Sequence, residues 1–335
     1  MKEAINWENS KEHSIKCFNC LQGCLINPGQ KGLCQVRQNI DGILFSLNYG
    51  KLISQNVDPI EKKPLFHFLP GSLSYSIASV GCNFRCLHCQ NYSISQVSPL
   101  DEIPGEDVAP WQVVNSAKSL NCKSIAYTYT EPTIYVEYAL EVMKQAKKEG
   151  LFNVWVSNGY FTKETFELIE PYLDAINIDL KFFTEDNYNK ICGAKFKHVK
   201  DSLIRVSKSK VHLEVTTLLI PGLNDSDEEV SKMAKFIRFD LGSDTPWHLT
   251  AFCPEYKLDS LPPTPESSIE NAIRIAKDND LSFVYAGNLK TSKYEDTYCT
   301  ECGELLILRR GYIIEEKYRN NKVCPKCGIE LPFVL

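Results

Sequence analysis

The sequence predicts an α/β chain in three parts. A partial or full (β/α) barrel is expected over residues 73–290, an N-terminal cysteine-rich metal module over 1–72, and a C-terminal four-cysteine metal ribbon over 291–335. Three observations carry this. Strand-like and helix-like segments alternate through the middle of the chain, eleven of the fourteen cysteines fall into three tight groups, and two of those groups lie outside the alternating region. Repeated β-α units predict a parallel sheet, because each crossover returns the next strand beside the last. Their number suits a barrel better than a small open sheet.

Residues 1–72 carry Gly and Pro punctuation ("NPGQKGLC", "VDPIEKKP", "LPGS") and no long helical stripe, so a loop-rich module is expected. From 73 onward, "LSYSIAS", "SIAYTYT", "FNVWVS", "AINIDLK", "HLEVTTLLI", "WHLTAF" and "LSFVYAG" read as strands, rich in β-branched and aromatic residues. Between them, Val136, Ala139, Leu140, Met143 and Ala146 form an apolar stripe that stops at Gly150. Val230, Met233, Ala234 and Ile237 form another, with Ser226 and Glu229 expected as a capping box. A third runs through Ile269, Ala272, Ile273 and Ala276, with Thr264 expected as N-cap and Pro265 in the first helical position. After 291, two C-x2-C pairs bracket "ELLILRRGYIIEEKYRNNKV", an expected hairpin in which Arg309, Arg310 and Lys317 face Glu304, Glu315 and Glu316.

The totals narrow the function classes. A net charge of -5 gives no global attraction to nucleic acid. No apolar run approaches the roughly 18 residues of a membrane span, and the polar start "MKEAINWENSKEHSIKC" has no signal-peptide character. A soluble, cytoplasmic protein with neither nucleic-acid nor membrane partners is expected. Without an export signal, cysteines at such short spacings point to metal in a reducing compartment rather than to disulfides.

Cys82, Cys86 and Cys89 form C-x3-C-x2-C on the loop after the 73–79 strand. Four thiolates complete a [4Fe-4S] cluster; three leave one iron open to the amino and carboxylate groups of an amino acid. A structural zinc loop, or a cluster completed by a distant ligand, is the alternative. The pattern resembles the radical S-adenosylmethionine (radical SAM) enzymes. With "DPIEKKPLFHFLPGS", "GCNFRCLHCQN", "YTYTEPT", "SNGY" and "INIDLK", nearly the whole chain resembles the radical SAM enzymes of the AmmeMemoRadiSam system, which are similar to pyruvate formate-lyase activating enzymes. The resemblance implies a barrel of radical SAM type and reductive cleavage of S-adenosyl-L-methionine to a 5'-deoxyadenosyl radical. That radical would take hydrogen from a protein, as activases do, or from a small molecule. An electron donor such as flavodoxin or ferredoxin, and Memo-like and AMMECR-like companion proteins, are further implications. A non-enzymatic iron–sulfur carrier or metal-binding scaffold is the competing function.

The resemblance also implies which residues hold the cofactor. Glu131 stands where activases carry the Glu of a Gly-Gly-Glu stretch, with Tyr129 and Thr130 in place of the glycines. Ser157 and Asn158 match a ribose-contacting pair, and Gly159 permits a tight turn. In "AINIDLK" the period of two puts Ile176, Ile178 and Leu180 on one face and Asn177, Asp179 and Lys181 on the other. A polar face on a buried strand must meet a partner or a ligand. The resemblance implies S-adenosylmethionine at Asp179 and Lys181, and an internal ion pair is the alternative. His212, Glu214 and Thr216 share one face and are expected toward the substrate side, with simple packing as the alternative for His212. His88 is expected to pack against adenine or cluster rather than ligate. Cys253 stands where relatives have histidine and is expected as a buried, inert thiol.

Cys299, Cys302, Cys324 and Cys327 suit a closed tetrahedral site, zinc by default and rubredoxin-type iron as the rival, with a structural or docking role. Cys17, Cys20, Cys24 and Cys34 (C-x2-C-x3-C-x9-C) suit zinc or an auxiliary iron–sulfur cluster, and the residues leave that choice open.

Overall fold

The structure, a computed structural model, describes residues 1–97, 102–291, 293–317 and 322–335. Its centre is a sheet of Ser54–Pro59 (β1), Leu73–Ala78 (β2), Ser124–Tyr127 (β3), Phe152–Ser157 (β4), Ala175–Asp179 (β5), His212–Leu219 (β6), Trp247–Ala251 (β7) and Val284–Gly287 (β8). The strands lie side by side in chain order, β2 to β8 parallel and β1 antiparallel along β2. All seven expected strands form. Among the described residues β8 and β1 do not pair, so the barrel is partial rather than closed. The eighth strand, β1, comes from the stretch read as punctuation. Its Pro59 is tolerated because it lies at the sheet's edge, where a missing N–H costs no ladder bond.

The outer layer is helical: Pro110–Ser119 (α1), Val136–Lys148 (α2), Lys163–Ile169 (α3), Phe196–Ser207 (α4), Asp227–Phe236 (α5) and Glu266–Asp278 (α6). Outward-facing Ile176 and Ile178 of β5 share one core with Val142 and Met143 of α2. Two expected caps differ. Ser226 Oγ accepts from the Glu229 N–H at 3.3 Å, but the Glu229 carboxylate accepts from the Phe183 N–H at 2.7 Å, so only half of the box forms. Pro265, not Thr264, is the N-cap of α6. The Thr264 hydroxyl is taken by the strand ends, accepting from the Phe252 N–H at 2.9 Å and donating to the Leu219 carbonyl.

Residues 60–69 fill the N-terminal end of the partial barrel. Ile60, Leu65 and Phe68 pack on the inward side chains Ala126, Val154 and Ala175. Asn177 Nδ2 donates to the Pro64 carbonyl at 2.7 Å. Fully buried Glu214 accepts from the backbone N–H groups of Phe66 (2.9 Å) and His67 (2.8 Å) and from Nε2 of His212 (3.0 Å) and His248 (2.7 Å). Glu214 and His212 therefore hold the floor, and only Thr216 of that expected row reaches the cavity described below.

The expected C-terminal hairpin forms from Leu305–Arg310 and Ile313–Lys317. Its charges are arranged differently from the expectation. Arg309 is wholly buried, donating to the carbonyls of Phe66 (2.9 Å) and Glu295 (3.0 Å) and to Thr297 Oγ1 (2.7 Å), over the Phe66 ring. Successive strand residues point to opposite sides, so Arg309 turns inward while Arg310 turns out to Asp296 and Glu315. Glu304 pairs with Lys326 at 3.5 Å. The side chains of Glu316 and Lys317 lie outside the described residues. At the other end of the chain, short hairpins dock on α2 through a buried ion pair, Arg37 to Glu137 at 2.6 Å. Among the described residues no helix is long and apolar enough to cross a membrane.

Burial pushes the Glu214 carboxyl up, but the hydrogen bonds from His212 and His248 overrule it and hold the group well below 4.5. A carboxyl with a depressed native pKa adds stability above its unfolded value and loses it as pH falls through its native value. Glu214→Ala is expected to lower the unfolding free energy by about 3–5 kcal/mol near neutrality, the cost of breaking a buried charge network. The gap to the wild type should narrow as pH falls below the unfolded value. Urea unfolding at neutral and acid pH measures both; a neutral-pH loss below about 1 kcal/mol would place the floor's stability elsewhere.

Candidate active site

Above this floor, at the C-terminal ends of the strands, a cavity of about 670 Å³ opens, within the ordinary size of small-molecule sites. Cys82, Cys86 and Cys89, with Glu131, Ser157, Asn158, Asp179 and Lys181, all line it. They arrive from four strand ends: β2 supplies the cysteine loop, β3 Glu131, β4 the Ser-Asn pair, and β5 the Asp and Lys. Parallel pairing puts these ends on one rim, with Ser157 opposite Ile178 and Asp179 opposite Thr216.

The cysteine loop is held by backbone bonds, from the Arg85 N–H to the Cys192 carbonyl (2.8 Å) and from the Leu87 N–H to the Ile191 carbonyl (2.9 Å). The Arg85 guanidinium donates to the carbonyls of Cys82 (3.0 Å) and Phe84 (2.8 Å). Burial raises the Cys82 and Cys89 thiols above their ordinary range; for Cys86 a hydrogen bond with the Cys192 thiol does so first, then burial. Thiols in such a setting become thiolates when a cation binds them. Cys192, which sequence reading left isolated, is thus a neighbour of the loop. Only its position in the fold shows this.

Glu131 is buried and organises the rim. Its Oε1 accepts from the Thr133 N–H (3.1 Å), the Thr133 hydroxyl (2.5 Å) and Ser157 Oγ (2.9 Å), while Oε2 accepts from the Asn158 N–H (2.9 Å). Ser157 Oγ also lies 3.2 Å from Oε2, so both carboxylate oxygens are engaged. Burial raises this carboxyl despite those bonds. Tyr129 takes φ 64, the left-handed conformation that glycine adopts freely. Its hydroxyl donates to Asp58, and its ring receives the Lys63 ammonium at 4.6 Å. Asp58, Lys63 and Tyr129 form a cluster that sequence reading missed, although "DPIEKKP" contains two of its members. Burial, opposed by the Asp58 ion pair, lowers Lys63 to about 8.

Lys181 Nζ lies 2.9 Å from Asp179 Oδ2 at the cavity wall. Burial opposes the ammonium charge there, but Asp179 and then Cys86 hold it well above the usual lysine range. His88 is buried edge-on to Phe182, and among the described residues neither its Nδ1 nor Thr216 Oγ1 has a hydrogen-bond partner. Both line the cavity. Buried polar atoms left without partners call for one. Cys253 corrects its expectation: it is exposed. The chain leaves β7 at Ala251, Phe252 takes the inward place, and the next side chain turns to solvent.

Residues 76–237 match the family described as the Radical SAM superfamily. Over 339 aligned residues the chain is 42% identical to an uncharacterized protein of Methanocaldococcus jannaschii, covering 100% of each. The chain belongs to the radical SAM superfamily. It is also 22% identical over 235 residues to the pyruvate formate-lyase-activating enzyme of Staphylococcus epidermidis, covering 63% of this chain and 90% of that one. Streptococcus suis SuiB bound to S-adenosylmethionine shares the fold, with a TM-score of 0.53 at 11% identity over 72% of this chain and 56% of that one. The chain is a radical SAM enzyme similar to the activating enzymes, and its fold implies S-adenosylmethionine and an iron–sulfur cluster. A separate four-cysteine group with the spacing to hold a metal ion stands in the ribbon of this radical SAM enzyme. The sulfurs of Cys299, Cys302, Cys324 and Cys327 lie within 4.8 Å of one another, two pairs at 3.6 Å.

Gly159 closes the Ser157–Asn158 turn with φ 72, and a Cβ there would meet Ile178 Cγ2 at 2.8 Å. Gly159→Ala is expected to cost about 1–3 kcal/mol and to weaken S-adenosylmethionine binding several-fold. Thermal unfolding and equilibrium dialysis measure the two, and an unchanged melting temperature would refute the first.

Proposed function

We propose that Cys82, Cys86 and Cys89 ligate a [4Fe-4S] cluster with one open iron, and that S-adenosylmethionine takes that corner. The observation that carries the reading is the convergence of all eight residues on one cavity. The donor set fits: a buried Cys86 thiol with half-buried Cys82 and Cys89, carboxylates at Glu131 and Asp179, and a charged Lys181 suit a cluster beside a zwitterionic amino acid. When bound and reduced by one electron, this pair supplies methionine and a 5'-deoxyadenosyl radical that takes hydrogen from a substrate. Lys181 complements a carboxylate, and the negative charge of a Glu131 carboxylate complements an ammonium. Ser157 and Asn158 offer polar atoms for a ribose, while Thr216 and His88 offer further polar contacts. The floor of residues 60–69 closes the barrel's other end to water.

Similarity to a pyruvate formate-lyase-activating enzyme supports a protein as hydrogen donor. Flavodoxin or ferredoxin is the proposed electron source, Memo-like and AMMECR-like proteins the proposed companions, zinc or iron the ribbon metal, and the cytoplasm the proposed compartment.

Anaerobic reconstitution with dithionite and S-adenosylmethionine tests the reading. The wild type should release 5'-deoxyadenosine, Cys86→Ala should lower the rate by at least about 100-fold, and exposed Cys253→Ser should stay within about twofold. No release from the reconstituted wild type, or normal release from Cys86→Ala, would sink the reading. Deuterium appearing in 5'-deoxyadenosine from a labelled protein, and not from labelled metabolites, identifies the substrate class.

A further inference from the structure

We propose that Cys17, Cys20, Cys24 and Cys34 bind a second [4Fe-4S] cluster rather than a single zinc ion. All four thiols line one small cavity in the N-terminal module, walled by Ile26, Leu33 and Ile134. Backbone N–H groups of Asn19, Gln22 and Val36 point at the sulfurs of Cys17, Cys20 and Cys34, the arrangement that steadies a metal-bound thiolate. The buried Arg37 guanidinium also lines the cavity, and its Nε has no hydrogen-bond partner among the described residues.

Spacing separates the two metals. One tetrahedral ion with arms of about 2.3 Å draws its sulfurs to about 3.8 Å from one another. The ribbon meets that requirement at 3.6 Å, with all four sulfurs inside 4.8 Å. Among the described residues, no three of the N-terminal sulfurs form such a group. The space they enclose admits the centre of a water-sized sphere over about 10 Å³. In a cubane each thiolate bonds a different iron, so the sulfurs stand further apart around a wider centre.

The second site adjoins the first. Asn83, next to Cys82, lines the N-terminal cavity; its carbonyl accepts from Gln22 Nε2 (2.8 Å), and its Oδ1 accepts from Asn158 Nδ2 (2.7 Å). A residue of the active-site cysteine loop thus lines the cavity of the proposed cluster.

The test is independent of the active-site reading. A full-length variant with Cys82, Cys86 and Cys89 changed to Ala, reconstituted with iron and sulfide, should retain about four irons and four acid-labile sulfides per chain. After dithionite reduction, its paramagnetic resonance signal should be unchanged by S-adenosylmethionine. The wild type should hold about twice that iron and sulfide, with two signals of which one shifts on adding S-adenosylmethionine. Should the triple variant fail to fold, Cys20→Ser with Cys24→Ser should remove only the unshifted signal from the wild-type spectrum. Zinc without acid-labile sulfide in the triple variant, or a wild type with about four irons whose single signal shifts on adding S-adenosylmethionine, would overturn the proposal. A wild type lacking only the responsive signal would count against the active-site reading and leave this one standing.

Discussion

A sheet whose two edges do not meet leaves an interior that water can enter from below, and here one carboxylate governs how it is stopped. Glu214 takes four hydrogen bonds, two from the backbone of residues 66 and 67 and two from histidines on β6 and β7. An isolated buried carboxylate is costly, and a fully satisfied one is rigid. The same group therefore anchors the segment that fills the floor and fixes the inward face of the strands beside it. Residues one step further along those strands, Thr216 among them, then belong to the cavity rather than to the floor.

This division explains the split in the polar face of β5. Asn177 is turned down to the Pro64 carbonyl, while Asp179, two residues on, reaches the rim with Lys181. A single alternating strand thus contributes to a structural seal and to a reactive surface, and parallel pairing aligns its neighbours to do likewise. The rim inherits its rigidity from Glu131 in the same manner, since that carboxylate fixes the turn after β4 through bonds to both Ser157 and Asn158.

Much of this was legible in the residue order. Strand alternation exposed β2 to β8, and cysteine spacing exposed the loop, because both are local periodicities. The edge strand β1 was hidden by its polar residues and by Pro59, which an edge position tolerates and a central one would not. Residue order sets Arg309 and Arg310 together against the hairpin's glutamates; which of two neighbours turns inward depends on register, and an acceptor that stabilises Arg309 is Phe66, 243 residues away. Thr264 looked like a cap because its competing partners lie on β6 and beyond β7. Lys63, Asp58 and Tyr129 meet only once β1 lies on β2, so no spacing rule could join them.

The reach of Arg309 has a consequence for folding. Its guanidinium grips the carbonyl of Phe66, 243 residues earlier in the chain. Contacts of such sequence separation form late, after the entropy of closing a long loop has been met. The contact that joins the ribbon to the floor is therefore expected to close after the nearer pairings of the strands.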